Sequence, residues 1–116
     1  MEFNQAYLHD FSGAPWVKDS GFLLKKTIKV PCFRLETILQ KHGISSFDLL
    51  SVDVEGRELD VLQSFDFKKY RPKILIIEFQ TFRLGEQAER IKQFFQDKPY
   101  RLAHTTCVNL IFCLSE

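Results

Sequence analysis

Three carboxylates close two apolar runs of the sequence, and they are the residues whose type and spacing could do chemistry. Asp53 and Glu55 stand at the end of the run 47–54, and Glu78 stands near the end of the run 73–79. Carboxylates in such apolar surroundings are costly to bury, and like charges close together shift one another's pKa values. The chemistry open to such a group is proton transfer at a substrate or, with oxygen ligands alone, binding of a divalent ion such as Mg²⁺.

The predicted elements place these carboxylates at one edge of a sheet. Both runs are apolar on alternating faces, which predicts parallel strands covered on two sides. Each run is followed by apolar residues at helical spacing, and two short strands, 100–104 and 107–114, end the chain. This order predicts an α/β fold with parallel strands and a C-terminal antiparallel hairpin. In open α/β sheets ligands bind beyond the carboxyl ends of the strands, where the three carboxylates stand.

The remainder of the chain completes a single predicted domain over residues 1–116. Residues 1–25 carry turn signals and are expected to be an irregular lead-in to an α/β core over 26–116. Thr27–Val30 alternates polar and apolar residues, which predicts a short strand. Leu35 and Leu39 mark one face of a helix that Gly43 is expected to end.

The composition excludes several classes of function. The chain is 45% hydrophobic and 27% charged with a net charge of +1, so it has no basic surface for nucleic acid. Its densest apolar runs are six and seven residues long, far below the roughly 20 that span a bilayer. No signal sequence is evident, so we expect a cytoplasmic protein. The cysteines, Cys32, Cys107 and Cys113, form no metal-ligand pattern and are predicted to be reduced and buried.

The residues alone leave a structural role for the carboxylates open. Strand alternation would direct Asp53 and Glu55 to the same side, and Gly56 would let the backbone turn tightly or approach a ligand. Either carboxylate could instead cap the helix that begins near Gly56, and Glu78 could be neutralised by a cation across the sheet. A capping role and an active-site role are both consistent with this pattern.

The same stretch resembles a known family. Residues 47–62, FDLLSVDVEGRELDVL, followed by residues 71–78, RPKILIIE, resemble the signature of FkbM-type S-adenosylmethionine-dependent methyltransferases. Residues 30–39 resemble the segment that precedes this signature, so the resemblance covers residues 30 to 79. The run D-V-E-G-x-E is its most specific part. Two positions depart from the pattern, because Ser51 replaces a usual lysine and Glu36 a usual aspartate.

The resemblance implies a Rossmann-like class I methyltransferase fold, with S-adenosylmethionine as the cofactor. It implies methyl transfer to a hydroxyl oxygen on a small molecule such as a sugar, a glycolipid or a polyketide. By position in the motif, Asp53 is the expected base or acceptor-orienting residue, and Glu55 and Glu78 are expected to orient the substrate. No cofactor-binding residue is assigned, and no metal site is predicted.

One part of the family's pattern is absent from the sequence. Class I methyltransferases cradle the cofactor in a glycine-rich loop, whereas the five glycines here are isolated. We therefore expect a carboxyl-terminal portion of the domain that does not hold the cofactor alone, and whether this chain is itself an enzyme is left open. Without the neighbouring cofactor strand, residues 48–54 would form an exposed edge, which predicts a homodimer. A non-catalytic assembly module and a metal-dependent hydrolase are the alternative functions.

Overall fold

The computed structural model describes residues 26, 28–79 and 85–115. The chain divides into two compact units, Met1–Cys32 and Phe33–Glu116, and every helix and strand of the described residues lies in the second. The predicted lead-in over 1–25 falls outside the described residues, and the single domain over 1–116 stays a prediction. The strand predicted at Thr27–Val30 is wrong over residues 28–30, which form no strand within the described part of the chain and leave Ile28 63% exposed.

The second unit has the predicted order of helices and strands, with one additional short helix before the second strand. The elements are α1 (Leu35–Lys41), β1 (Leu49–Val52), α2 (Glu58–Gln63), α3 (Phe67–Tyr70), β2 (Ile74–Glu78), α4 (Glu86–Phe94), β3 (Tyr100–Thr105) and β4 (Asn109–Leu114). The helix predicted around Leu35 and Leu39 is confirmed as α1. Gly43 follows its last turn with a φ of 65°, and its N–H donates to the Gln40 carbonyl at 3.1 Å, as expected of a glycine that ends a helix.

The four strands form one mixed sheet in the order β1-β2-β4-β3. Strand β1 pairs in parallel with β2, whereas β2 with β4 and β3 with β4 are antiparallel. The predicted parallel strands and C-terminal antiparallel hairpin are therefore both present. Because β1 and β2 run the same way, their carboxyl ends lie at the same edge of the sheet, and residues 53 and 78 meet there.

The helices bury one face of the sheet. On that face the pairs Val52–Ile77 and Leu75–Phe112 lie side by side, and all four residues are at most 4% exposed. They share a core with buried helix residues, among them Leu39, Leu62, Ala88, Ile91 and Phe95. At about 25 cal/mol per Å² of apolar area removed from water, this core is the main source of stability.

The opposite face of the sheet is open in part, which corrects the prediction of strands covered on two sides. Leu49 and Ile74 are neighbours on this face, and they remain 53% and 42% exposed. Ile76 and Ile111, the next pair along, are half-buried. An apolar sequence pattern shows that residues on both faces of a strand can be buried. Whether they are buried depends on which elements pack against each face.

Aromatic rings fill the amino end of β2 and β3. Phe67 lies edge-on to Phe65, Phe95 and Tyr100, with ring centroids between 4.7 and 5.6 Å apart. The Tyr100 hydroxyl donates to the Pro72 carbonyl at 2.8 Å, so the phenol is buried with a partner. This aromatic cluster fixes the two loops that precede β2 and β3, at the opposite end of the sheet from Asp53 and Glu78.

Candidate active site

The register of the sheet brings Asp53 beside Glu78. Val52 is the partner of Ile77, so the next residue of each chain segment continues the same pairing at the end of the sheet. The two carboxyl groups share a hydrogen bond. On its other side Glu78 is paired in register with Asn109 of β4, which is uncharged. A cation that could neutralise Glu78 therefore does not occupy this position of β4.

This environment raises the pKa of Glu78 to about 7. Burial is the largest cause, because the charged form loses hydration. The hydrogen bond and the negative charge of Asp53 come next, followed by the charges of Glu55 and Glu58. Among the residues that the structure describes, Glu78 Oε2 is the buried side-chain atom that has no hydrogen-bond partner. Near neutral pH Glu78 is therefore about half protonated and can gain or lose a proton beside Asp53.

A strained turn presents Glu55 to the same site. Strand β1 ends at Val52, and Glu55 then adopts a φ of 54°, followed by Gly56 at 97°. A left-handed conformation costs a residue with a side chain on the order of 1 kcal/mol relative to glycine. The turn, rather than strand alternation, brings Glu55 close enough to raise the pKa of Glu78.

Glu58 holds this turn in place, although it was not among the predicted site residues. Its side chain is fully buried, and Oε1 accepts hydrogen bonds from the backbone N–H of Val54 at 3.2 Å and of Gly56 at 3.1 Å. The Gln87 side-chain amide donates to Oε2, which links the turn to the first turn of α4. The signal that could have found Glu58 is its place as the final acid of D-V-E-G-x-E.

The hydrogen bonds at the start of α2 give a cap-like role to Glu58, a residue that the capping interpretation did not name. Helix α2 begins at Glu58, and its N-cap, Arg57, makes no side-chain capping hydrogen bond. The carboxylate of Glu58 lies in the first turn, where the helix dipole favours negative charge, and it accepts the backbone donors of the preceding turn. Asp53 is exposed to solvent at the end of β1.

Neither metal-ligand clusters nor membrane-spanning helices occur in the described part of the chain. No group of three or more His, Cys, Asp or Glu side chains there is arranged to hold a metal ion. No described helix is both long enough and apolar enough to cross a bilayer. The three cysteines are free, as predicted, but Cys32 and Cys107 are exposed rather than buried, because one precedes α1 and the other lies in the β3–β4 turn.

Replacing Asp53 should lower the pKa of Glu78. In Asp53→Asn the negative charge of Asp53 is lost and its hydrogen bond is weakened, so the pKa should fall from about 7 toward 4.5, the ordinary value for glutamate. It should stay above that value, since burial is the largest cause of the shift. The measurement is a carboxyl ¹³C NMR titration. Asp60→Asn, on the exposed side of α2, is the matched control and should leave the Glu78 titration where it is. An unchanged pKa in Asp53→Asn would contradict the pairing.

Removing the Glu58 carboxylate should destabilise the domain strongly. Glu58→Ala leaves the N–H groups of Val54 and Gly56 without their acceptor, and a buried unpaired donor costs about 1–3 kcal/mol. We expect the free energy of unfolding to fall by about 3 kcal/mol in urea denaturation. Glu89→Ala, which removes an exposed carboxylate paired with Lys92, should change it by less than about 0.5 kcal/mol. Equal effects of the two substitutions would show that Glu58 does not hold the turn.

Comparison with known proteins identifies the family. The family model for the methyltransferase FkbM domain matches residues 4–102. Comparison with curated proteins gave no match, and comparison with solved structures gave none. The matched residues include β1, the Asp53–Glu58 turn, β2 and Glu78, which are the elements that build the acidic site. The chain therefore belongs to the FkbM methyltransferase domain family.

Proposed function

We propose that this chain carries the acceptor-binding and proton-accepting side of a methyltransferase that acts on a hydroxyl group of a small molecule. The observation that supports the proposal is the Asp53–Glu78 pair, in which the pKa of Glu78 is raised to about 7. A general base is most effective when its pKa lies near the working pH. An ordinary surface glutamate would be fully ionised at neutral pH and too weak a base for this role.

The chain's own residues would supply positioning and proton transfer. S-adenosylmethionine, when bound, supplies a methyl group on a cationic sulfur, whose transfer breaks a carbon–sulfur bond and forms a carbon–oxygen bond. Asp53, exposed at the rim, would accept the hydrogen bond of the acceptor hydroxyl and take its proton. Glu78, hydrogen-bonded to Asp53, would share that proton inside the pair. Glu55 would orient the acceptor from the adjoining turn.

The acidic rim suits the charge of the cofactor, whereas the residues that would hold it are not assigned. Asp53, Glu55, Glu58 and Glu78 give this rim a negative potential, which would suit a cationic sulfur. The sequence has no G-x-G loop to cradle the cofactor's methionine end. We therefore keep the proposal that this chain is a carboxyl-terminal portion of the domain. From the sequence we also propose that the acceptor is a sugar, a glycolipid or a polyketide and that the protein is cytoplasmic.

Asp53→Asn should lower turnover by about a hundredfold and leave cofactor affinity unchanged, since a base acts mainly in the transition state. The assay follows methyl transfer in a version of the domain that includes a glycine-rich cofactor segment. Turnover of the enzyme without the substitution should rise as the pH passes about 7. The Asp53–Glu78 pair can accept the proton of the substrate hydroxyl only after Glu78 has lost its own proton. In Asp53→Asn the residual activity should have a lower midpoint. Asp60→Asn is the control and should keep the parent's rate and profile.

Calorimetry on the 116-residue chain separates the possible outcomes. We expect no saturable binding of S-adenosylmethionine in the micromolar range, because no cofactor loop is present in the sequence. Micromolar binding would contradict the proposal that the chain is a portion of the domain. Full activity of Asp53→Asn together with a lowered melting temperature would instead show that the carboxylate has a structural role only.

We also propose, as a second candidate role, that the chain assembles through β1. Within the described residues, β1 has one neighbour, β2, so its other edge is unpaired. Leu49 is 53% exposed there, and the segment Leu49–Val52 contains no charge, proline or bulge that would protect an edge. A second copy of β1 could supply the missing backbone partners and cover Leu49.

Light scattering tests this role. The chain should be a homodimer at tens of micromolar, a concentration range in which exposed edges associate. Leu49→Lys should shift it to monomer, because a lysine on an edge strand resists pairing. Val108→Lys replaces another exposed apolar side chain, in the β3–β4 turn, and should leave the dimer intact. A monomeric parent chain would exclude assembly through this edge.

A further inference from the structure

A second pocket lies at the opposite end of the sheet from the acidic site. It has a volume of about 580 Å³, within the range of roughly 300–1,000 Å³ that small-molecule sites occupy. The segment between α2 and β2, which includes α3, and the loop before β3 form its walls. Phe65, Phe67 and Pro99 give it an apolar lining, and the two rings belong to the buried aromatic cluster. The pocket is therefore built on rigid, packed residues.

The acidic residues of this pocket are already engaged by the protein itself. Asp66 caps α3, and its Oδ1 accepts hydrogen bonds from the backbone N–H of Lys68 at 2.9 Å and of Lys69 at 3.3 Å. Asp97 is hydrogen-bonded to the Lys98 ammonium at 2.8 Å. The Lys98 ammonium, and to a lesser degree Lys68, hold the pKa of Asp97 below its usual value. Both carboxylates are thus satisfied by donors within the chain.

Two cations on the same wall are not engaged in this way. Lys68 and Arg71 line the pocket and are exposed, and within the described residues neither side chain forms an ion pair. Lys98 differs, because its ammonium also donates to the Phe94 carbonyl at 2.7 Å. The polar wall of the pocket therefore offers positive charge to a ligand, beside an aromatic lining.

The backbone of Arg71 supports a role for its side chain. Arg71 is the C-cap of α3 and has a left-handed φ of 45°, a conformation in which glycine is the ordinary residue. An arginine there adopts a strained conformation that glycine would avoid. Its guanidinium lies close enough to Tyr100 to oppose, in part, the rise that burial gives to the pKa of that phenol, so the positive charge is near the aromatic cluster.

We propose that this pocket binds a small amphipathic anion. An apolar, preferably aromatic body would rest on Phe65, Phe67 and Pro99, and an oxyanion head would bind Lys68 and Arg71. A planar guanidinium suits a phosphate or a carboxylate, since it can donate two parallel hydrogen bonds. The site is at the amino ends of β2 and β3, away from Asp53 and Glu78, so it does not depend on the proposed methyl transfer.

An NMR titration of the ¹⁵N-labelled 116-residue chain tests the site. Phenyl phosphate is the probe, and benzoate, inorganic phosphate and benzyl alcohol separate the head and body contributions. Phenyl phosphate should shift the amides of residues 66–71 and 97–98 saturably. Benzyl alcohol and inorganic phosphate should each bind at least about tenfold more weakly, since each lacks one half of the interaction, and a tenfold change corresponds to about 1.4 kcal/mol. Comparing phenyl phosphate with benzoate identifies the preferred head.

The double variant Lys68→Gln/Arg71→Gln should weaken phenyl phosphate binding by about tenfold or more, and added salt should weaken binding to the parent chain. Lys73→Gln removes an exposed lysine nearby in sequence that pairs with Asp48 and does not line the pocket, and it should leave the affinity unchanged. Both substituted residues are exposed, so the variants should keep the parent's spectrum elsewhere. The proposal is overturned if the shifts do not saturate, if they fall outside the pocket, or if the double variant binds as tightly as the parent.

Discussion

The buried carboxylate of Glu58 is the constraint on which the arrangement of the acidic site depends. Parallel strands end in loops whose backbone donors have lost their ladder partners, and these donors must be satisfied where water is excluded. Glu58 accepts two of them, from Val54 and Gly56, and its second oxygen binds the Gln87 amide on α4. One side chain thus connects the end of β1, the start of α2 and the start of α4. The exposed carboxylates of the site follow from a turn that this contact fixes.

The charged residues at the two ends of the sheet have different surroundings. At the carboxyl end, burial and the negative charges of Asp53, Glu55 and Glu58 raise the pKa of Glu78, so this residue keeps its proton to about neutral pH. At the amino end, the acids Asp66 and Asp97 are satisfied within the chain. A left-handed residue other than glycine lies at each end, Glu55 at one and Arg71 at the other. Backbone strain of this kind is held by the surrounding structure, and it often occurs at functional sites.

The sheet combines a well-packed face with an open one. Leu75, Ile77 and Leu110 are completely buried on the first, and this face supplies most of the hydrophobic stabilisation. On the second, Leu49 and Ile74 lie together and remain accessible. Exposed apolar neighbours beside an unpaired strand edge are features of surfaces that associate. The same two strands therefore supply the ends that carry the acidic site and an apolar surface away from it.

The sequence by itself determined the order of the elements, the antiparallel hairpin, and the family, because periodicity and the D-V-E-G-x-E run are local properties. It also placed Asp53, Glu55 and Glu78 at strand ends. Only the tertiary structure decided that Asp53 and Glu78 share a hydrogen bond, since that contact depends on the β1–β2 register across 25 residues of chain. For the same reason, the role of Glu58 and the exposure of the second sheet face could not be predicted from the sequence. Burial and pairing are set by packing between distant segments, and no local pattern of residue types records which segments meet.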